Sequence, residues 1–305
     1  MTTSDHHRTF GCDIHSEGFF IISTATDEMS LILTLAKKIR SRLFPLRISG
    51  LSGIRRLCAG KQGLEIGGPS AIFTWKGKIP LYSVIGSLDA CNFSGTTMWE
   101  GTISEGKNFR FHPKKEPGHQ YISEASDVRS IQDAQYDFLL SSHVLEHCAN
   151  PLATLREWTR VVKNNGMLLL IVPHRDGTFD HHRDITSFEH LRQDEEKNTG
   201  EDDTTHMEEF IEKIDLAKTG YGSDRKTFEE RTRKNLEYRG MHHHVFDAKL
   251  AVRVADHAGL QILNVQTMLP FHIVITAQKT NSPNNHHWLS PEFRLRRSPF
   301  TTDRN

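Results

Sequence analysis

Leu64-Glu65-Ile66-Gly67-Gly68-Pro69-Ser70 is a short apolar run that ends in two glycines and a turn. Glycines there let the backbone approach a ligand closely, and N–H groups past a strand end can receive a polar or anionic group. The pattern is not G-x-G-x-x-G, so the dinucleotide fingerprint is absent. As spacing alone it also describes an ordinary tight turn. Asp89 closes the next strand-like run, 24 residues after Glu65. A carboxylate at that level can accept two hydrogen bonds from a ribose diol. Glu124-Ala125-Ser126-Asp127 is an acid-rich turn after a third run. Taken singly, each acid is a helix cap or a solvated loop carboxylate. Taken in order, they stand where a nucleoside site needs them.

Histidine is abundant: 19 in all, ten of them between His143 and His244. His143, Glu146 and His147 stand at i, i+3 and i+4, so one helical turn would project all three from one face. Imidazole and carboxylate together suit a divalent metal. The alternative is local capping, which is preferred, and no metal ligand is assigned. His242, His243 and His244 are adjacent and cannot all face one way on a helix or strand.

These residues need elements to hold them. Strand-like runs occupy 63–67, 81–90, 120–127, 136–141 and 167–172. Between the last two, residues 151–163 carry Leu152, Leu155, Trp158, Val161 and Val162 on one helical face, with Pro151 suited to the first turn and Asn164-Asn165-Gly166 to the stop. A helix at 247–258, with Asp247 as N-cap and Gly259 as stop, precedes strands at 261–268 and 272–278. Alternation of this kind predicts an α/β fold with a mostly parallel sheet covered on both faces, and ligands at the C-terminal ends of its strands. Residues 29–44 have the apolar spacing of an amphipathic helix within an N-terminal segment, 1–55. The main domain spans 56–280. A polar excursion at 176–245, with helices near 206–218 and 226–238, interrupts it. Residues 281–305 are polar and Arg-bearing and are expected to be a disordered tail.

Composition narrows the function. Lys+Arg 38 balances Asp+Glu 38, so no global field favours a nucleic acid or an anionic membrane. No stretch approaches the ~18 uninterrupted apolar residues of a spanning helix. The cysteines at 12, 58, 91 and 148 form no C-x-x-C pair, which argues against a disulfide framework or a cysteine-based zinc site. The first residues lack the basic-then-apolar order of a signal peptide. A cytoplasmic setting, a small-molecule partner and no nucleic-acid or membrane partner are expected, with the 29–44 helix a candidate homodimer contact.

The long ordered stretch YDFLLSSHVLEHCANPLATLREWTRVVKNNGMLLLIVPH, residues 136–174, resembles the central and C-terminal half of a class I S-adenosylmethionine-dependent methyltransferase domain. The EIGGPS loop resembles a variant of that family's first motif, with Pro69 and Ser70 replacing part of the fuller glycine pattern. The resemblance covers about residues 60–175 and, more loosely, 245–280. It implies a Rossmann-like, doubly wound, seven-stranded sheet with a large helical insertion after strand 5. It implies S-adenosyl-L-methionine as cofactor. Glu65, Gly67 and Gly68 would line its methionine and ribose part, Asp89 would hold the ribose hydroxyls, Asp127 would face the adenine amino group, and Ser142 and His143 would lie beneath it.

Methyl transfer from a sulfonium is an in-line displacement in which the protein mainly aligns nucleophile, methyl and sulfur. A hydroxyl acceptor benefits from a base or a metal. His174, after the fifth strand, is the first choice for that base and His181 the second, because an imidazole titrates near neutrality. The 176–245 excursion would be the acceptor-selecting lid. The expected function is methylation of a small molecule, with oxygen preferred. The alternative is a non-catalytic binding or regulatory protein that keeps the fold, which the curtailed glycine motif favours. A histidine–metal hydrolase lacks any H-E-x-x-H spacing.

Overall fold

The computed structural model describes residues 47–97, 100–219 and 224–304. The segment expected to be helical at 29–44 lies outside them. Helix α1 (Leu51–Cys58) leads into β1 (Gln62–Ile66) and β2 (Ser87–Asn92). A small hairpin, β3 (Thr96–Thr97) and β4 (Gly101–Thr102), is followed by β5 (Gly106–Phe109), β6 (Gly118–Ile122) and β7 (Tyr136–Ser142). Then come α2 (Pro151–Val161) and β8 (Val162–Pro173). The excursion holds α3 (Phe188–Lys197), α4 (Met207–Lys213), α5 (Arg225–Arg233) and α6 (Asn235–Tyr238). Helix α7 (Ala248–His257), β9 (Leu260–Met268), β10 (His272–Lys279) and α8 (His286–Leu289) close the chain.

The sheet runs β5-β6-β2-β1-β7-β8-β10-β9. Strands β6, β2, β1, β7 and β8 pair in parallel, while β10 is antiparallel to both β8 and β9. The chain winds outward from β1 to β6, then returns to the other side of β1 as β7. That reversal opens a crevice at the C-terminal ends of β1 and β7. The architecture is the α/β, mostly parallel, Rossmann-like one that the sequence implies, with eight strands instead of seven. The extra strand, β5, pairs antiparallel on the β6 edge. Its four residues, GKNF, bury only Phe109 fully, too little apolar pattern to read as a strand.

The continuous apolar run of β8 divides by the period of a strand. Leu168 and Leu170 join Leu139, Trp158 and Val252 in one core, under α2 and α7. Leu169 and Ile171 join Phe138, Leu140, Phe73 and Tyr82 in the other, under α1 and the irregular segment before β2. Helix α2 starts where Asn150 accepts a hydrogen bond from the Ala153 amide, with Pro151 in its first turn. Helix α7 starts on the Asp247 side chain, which accepts from the Leu250 amide.

Two expectations about extent are corrected. The strand read at 81–90 begins only at Ser87 and runs to Asn92, because residues 82–84 form a turn, with Leu81, Tyr82 and Ile85 the apolar residues buried there. The C-terminal segment is packed, not disordered. Asn285 Oδ1 accepts from the Ile262 amide (2.9 Å) and its Nδ2 donates to the Leu260 carbonyl (2.7 Å). The Trp288 indole donates to the Ile262 carbonyl (3.0 Å), and Phe293 and Phe300 are buried. A few well-spaced aromatics anchor a segment whose overall composition is polar.

Candidate active site

A cavity of about 260 Å³ opens at the C-terminal ends of β1, β2 and β7. Its floor is the turn after β1. Gly67 adopts φ +75°, and a Cβ there would lie 2.5 Å from Val144 Cγ2, so the turn passes against the β7 end as only glycine allows. A Cβ at Gly68 would strike the Glu65 carboxyl group. That carboxyl is wholly buried under the turn, where it accepts hydrogen bonds from the Ser70 amide (3.0 Å) and the Tyr82 hydroxyl (2.8 Å). Burial, only partly offset by those hydrogen bonds, pushes its pKa up to about 7. Asn92 Nδ2 donates to the Gly68 carbonyl (3.0 Å) and ties the turn to the end of β2.

Of the residues assigned to the cofactor from sequence, Gly67, Ser142 and His143 line this cavity. Glu65 and Gly68 shape its floor from below. Asp89 does not reach it. It sits mid-strand and accepts from the His119 amide (2.7 Å) and the Tyr136 hydroxyl (2.9 Å). Because β2 extends to Asn92, the polar side chain at the cleft is Asn92, three residues later. Asp127 is also elsewhere, half-exposed and paired with Arg129 (2.5 Å), while Ala125 of the same turn lines the cavity.

Neither expected base faces the cavity. His174 is wholly buried, stacked on Phe300 (centroids 4.0 Å apart), with Nε2 3.1 Å from Asp303 Oδ1. It is held by the C-terminal segment that sequence reading left disordered. His181 packs on His182, with Nδ1 3.1 Å from the Thr178 carbonyl and Nε2 3.6 Å from Asp215.

The histidines that do face the cavity are His143 and His147. Between them lies Glu146, wholly buried, with no hydrogen-bond partner for either carboxylate oxygen. Its Oε1 is 3.4 Å from His143 Nδ1, 3.9 Å from His147 Nε2 and 3.9 Å from His242 Nε2. Burial raises the Glu146 pKa, but the surrounding imidazoles outweigh it and hold the group below the usual carboxylate range. Burial also lowers His147, to about 4. The His147 Nδ1 is 2.9 Å from the Met241 carbonyl. A carbonyl only accepts, so Nδ1 carries the proton and Nε2 the lone pair. Sequence spacing brings out His143, Glu146 and His147, although only Glu146 and His147 lie in a helical turn, the 3₁₀ turn Leu145–His147, and His143 precedes it. The contribution of His242 was not legible, because it arrives from 95 residues downstream through the excursion.

Residues 88–170 match the family model described as a methyltransferase domain. No curated protein matches the sequence. Among solved structures, the chain is similar to a SAM-dependent methyltransferase from Aquifex aeolicus, with 14% identity, 82% of this chain and 97% of that chain covered, and a TM-score of 0.39. It is similar to SAM-dependent methyltransferases from Methanosarcina mazei, with 17% identity, 78% and 100% coverage and a TM-score of 0.43. It is similar to the Burkholderia thailandensis 1,6-didemethyltoxoflavin-N1-methyltransferase, with 9% identity, 89% and 94% coverage and a TM-score of 0.41.

Proposed function

We propose that this chain, whose residues 88–170 match a methyltransferase-domain family model, is a class I S-adenosylmethionine-dependent methyltransferase that methylates a small molecule on a hydroxyl oxygen. When bound, the cofactor supplies an electrophilic methyl group on a sulfonium. The cavity fits it in kind. Ile66, Phe93 and Ala125 offer apolar surface for a purine, and Asn92 and Glu100 are polar side chains available to the ribose hydroxyls. Burial raises the Glu100 pKa, so a donor from the ligand would compensate that carboxylate.

The observation that carries the oxygen reading is Glu146 between His143 and His147 at the cavity wall. His147 is neutral at pH 7, with its Nε2 lone pair on the side of Glu146. A hydroxyl presented from the cavity can give its proton to that nitrogen as the oxygen attacks. The Met241 carbonyl, accepting from Nδ1–H, keeps the ring oriented, and the buried Glu146 carboxylate 3.9 Å from Nε2 would stabilise the imidazolium so formed by its charge. His143 Nε2 lies 2.9 Å from His272 Nδ1, which fixes the second imidazole. The same Glu146, His147 and His242 set has ligand atoms within 4.8 Å of one another and could take a divalent cation, which would bind the acceptor oxygen directly.

Two measurements test this. Calorimetry with S-adenosylhomocysteine on tag-free protein is expected to give micromolar affinity, about −8 kcal/mol. Absence of binding by folded protein would make the non-catalytic alternative the better account. In a screen of hydroxyl-bearing acceptors, His147→Gln is expected to keep that affinity and to lose about 100-fold or more in turnover. Full turnover in His147→Gln would remove the base role.

A further inference from the structure

We propose that His190, Asp194, His206 and His244 form a four-coordinate zinc site that fastens the helical excursion to the sheet domain. It is separate from the cavity and does not depend on the methyl-transfer reading. The four side chains come from three places in the chain. His190 and Asp194 are one turn apart on α3, His206 caps the start of α4, and His244 lies in the segment that returns from α6 to α7. One ring nitrogen from each histidine lies within 4.8 Å of the other two.

The distances are those of ligands closing on a small ion. Four ligands about 2.0–2.1 Å from zinc stand about 3.3 Å from one another at the corners of a tetrahedron. His190 Nε2 is 2.9 Å from His206 Nε2 and 3.4 Å from Asp194 Oδ2.

The hydrogen bonds around the group also leave two buried lone pairs without a partner. His244 Nε2 is 3.1 Å from the Ala149 carbonyl, which can only accept, so Nε2 carries the proton. Nδ1 is then the lone-pair nitrogen, and it is buried with no hydrogen-bond partner. A ring N–H bonded to a backbone carbonyl is the usual support of a metal-bound imidazole. Asp194 is arranged alike: Oδ1 accepts from Thr199 Oγ1 (3.2 Å), while Oδ2 is buried without a hydrogen-bond partner. Two imidazoles meeting through Nε2 require either a shared proton or an ion between them. A shared proton would leave both Asp194 Oδ2 and His244 Nδ1 unsatisfied, whereas one cation answers all four groups. Imidazole nitrogen and carboxylate oxygen are both zinc donors, and four protein ligands close the tetrahedron with no open position, as in a structural site. His190 is about one-third exposed, which gives the ion a way in.

The site would have a mechanical consequence. The His244 amide donates to the Glu146 carbonyl (3.3 Å), and its ring donates to Ala149. An ion that fixes His244 therefore also fixes the return segment against the 145–149 turn, two residues from His242.

The test uses full-length, tag-free protein. Plasma mass spectrometry after dialysis is expected to find zinc, and a chelator is expected to lower the melting temperature by several degrees, restored by zinc alone. Asp194→Asn and His206→Gln should each hold one equivalent fewer than wild type, while Glu146→Gln keeps it. Cobalt substitution of the wild type should give the intense visible bands of a tetrahedral site, a readout that survives if both variants fail to fold. A wild type that takes up no zinc and melts unchanged with chelator overturns the proposal. So does undiminished zinc in folded Asp194→Asn and His206→Gln, or a cobalt spectrum without tetrahedral bands.

Discussion

Asp180 Oδ2 stands 2.5 Å from His242 Nδ1, and both side chains are buried. The carboxylate therefore chooses which nitrogen of His242 carries the proton and turns Nε2 toward Glu146. Arg183, also buried, donates to Asp180 Oδ1 (2.9 Å) and to the His242 carbonyl (2.9 Å), so one cation anchors both ends of the arrangement. Burial would raise Asp180, but His242 and Arg183 outweigh it and hold the carboxyl ionised.

Asp180→Asn is thus expected to disturb the orientation of His242 without touching the cavity. Turnover should fall by up to about 100-fold, the size of effect that misplacement of a supporting group produces. Affinity for S-adenosylhomocysteine should stay within about twofold, since no residue of the cofactor cavity changes. If affinity falls in parallel with turnover, Asp180 is a general structural support and not a positioning residue for His242.

Glu65 makes the cleft floor sensitive to pH. Its pKa is about 7 in the folded protein, above the ordinary 4.5, because burial disfavours the anion. The folded state then keeps a proton that the unfolded state releases between pH 4.5 and 7. Stability accordingly falls as pH rises through that window, by about 3 kcal/mol in all, and the loss is complete above pH 7. Glu65→Gln should remove this component. Urea denaturation at pH 5 and pH 8 is expected to show a larger drop for wild type than for the variant. Equal drops would mean that the buried carboxyl is ionised throughout.

The end of β2 sets an amide, Asn92, at the cleft and leaves an acid, Asp89, in mid-strand. Asn92→Ala is expected to weaken S-adenosylhomocysteine binding about tenfold, or about 1.4 kcal/mol, by freeing the Gly68 carbonyl and the turn that it holds. Asp89→Asn should change binding by no more than about twofold, because Asp89 bonds His119 and Tyr136 away from the cavity. Calorimetry on both variants decides it, and the reverse ranking would restore Asp89 to the cofactor.

What was legible follows from how local each signal is. The β7–α2–β8 unit was readable because YDFLLSS, PLATLREWTRVV and MLLLIV each carry one clear period, and Pro151 and Asn150 mark the helix start. Gly67 and His143 both line the cavity because each directly follows a strand end, β1 and β7. Asp89 lies in mid-strand because β2 runs to Asn92, two residues beyond the run read at 81–90. His174 and His181 were assigned from position after a strand, yet their partners, Asp303 and Asp215, lie far along the chain. Likewise nothing local announces that His242 turns to Glu146 and His244 to His190 and His206. Neighbouring residues point in different directions, and only the folded excursion sets where each arrives.

The C-terminal segment gives the strongest contrast between composition and structure, and truncation tests it. Removing residues 285–305 takes away the Asn285 hydrogen bonds to Leu260, Gln261 and Ile262 at the start of β9, and the Trp288 bond to Ile262. It also removes Phe300, stacked on His174, and Asp303, the partner of that buried ring. Losing one buried phenylalanine side chain alone costs about 3–5 kcal/mol, and two, Phe293 and Phe300, are lost here. Losing Asp303 leaves the His174 Nε2 without its acceptor and adds about 1–3 kcal/mol. Together these reach the range of a whole domain's stability, about 5–15 kcal/mol. The truncated protein should therefore be largely insoluble or melt far below full length, whereas single changes at the exposed Arg296 should leave the melting temperature unchanged. A truncation that melts with the full-length protein would show that the segment rests on the surface without holding it, as its polar composition alone suggests.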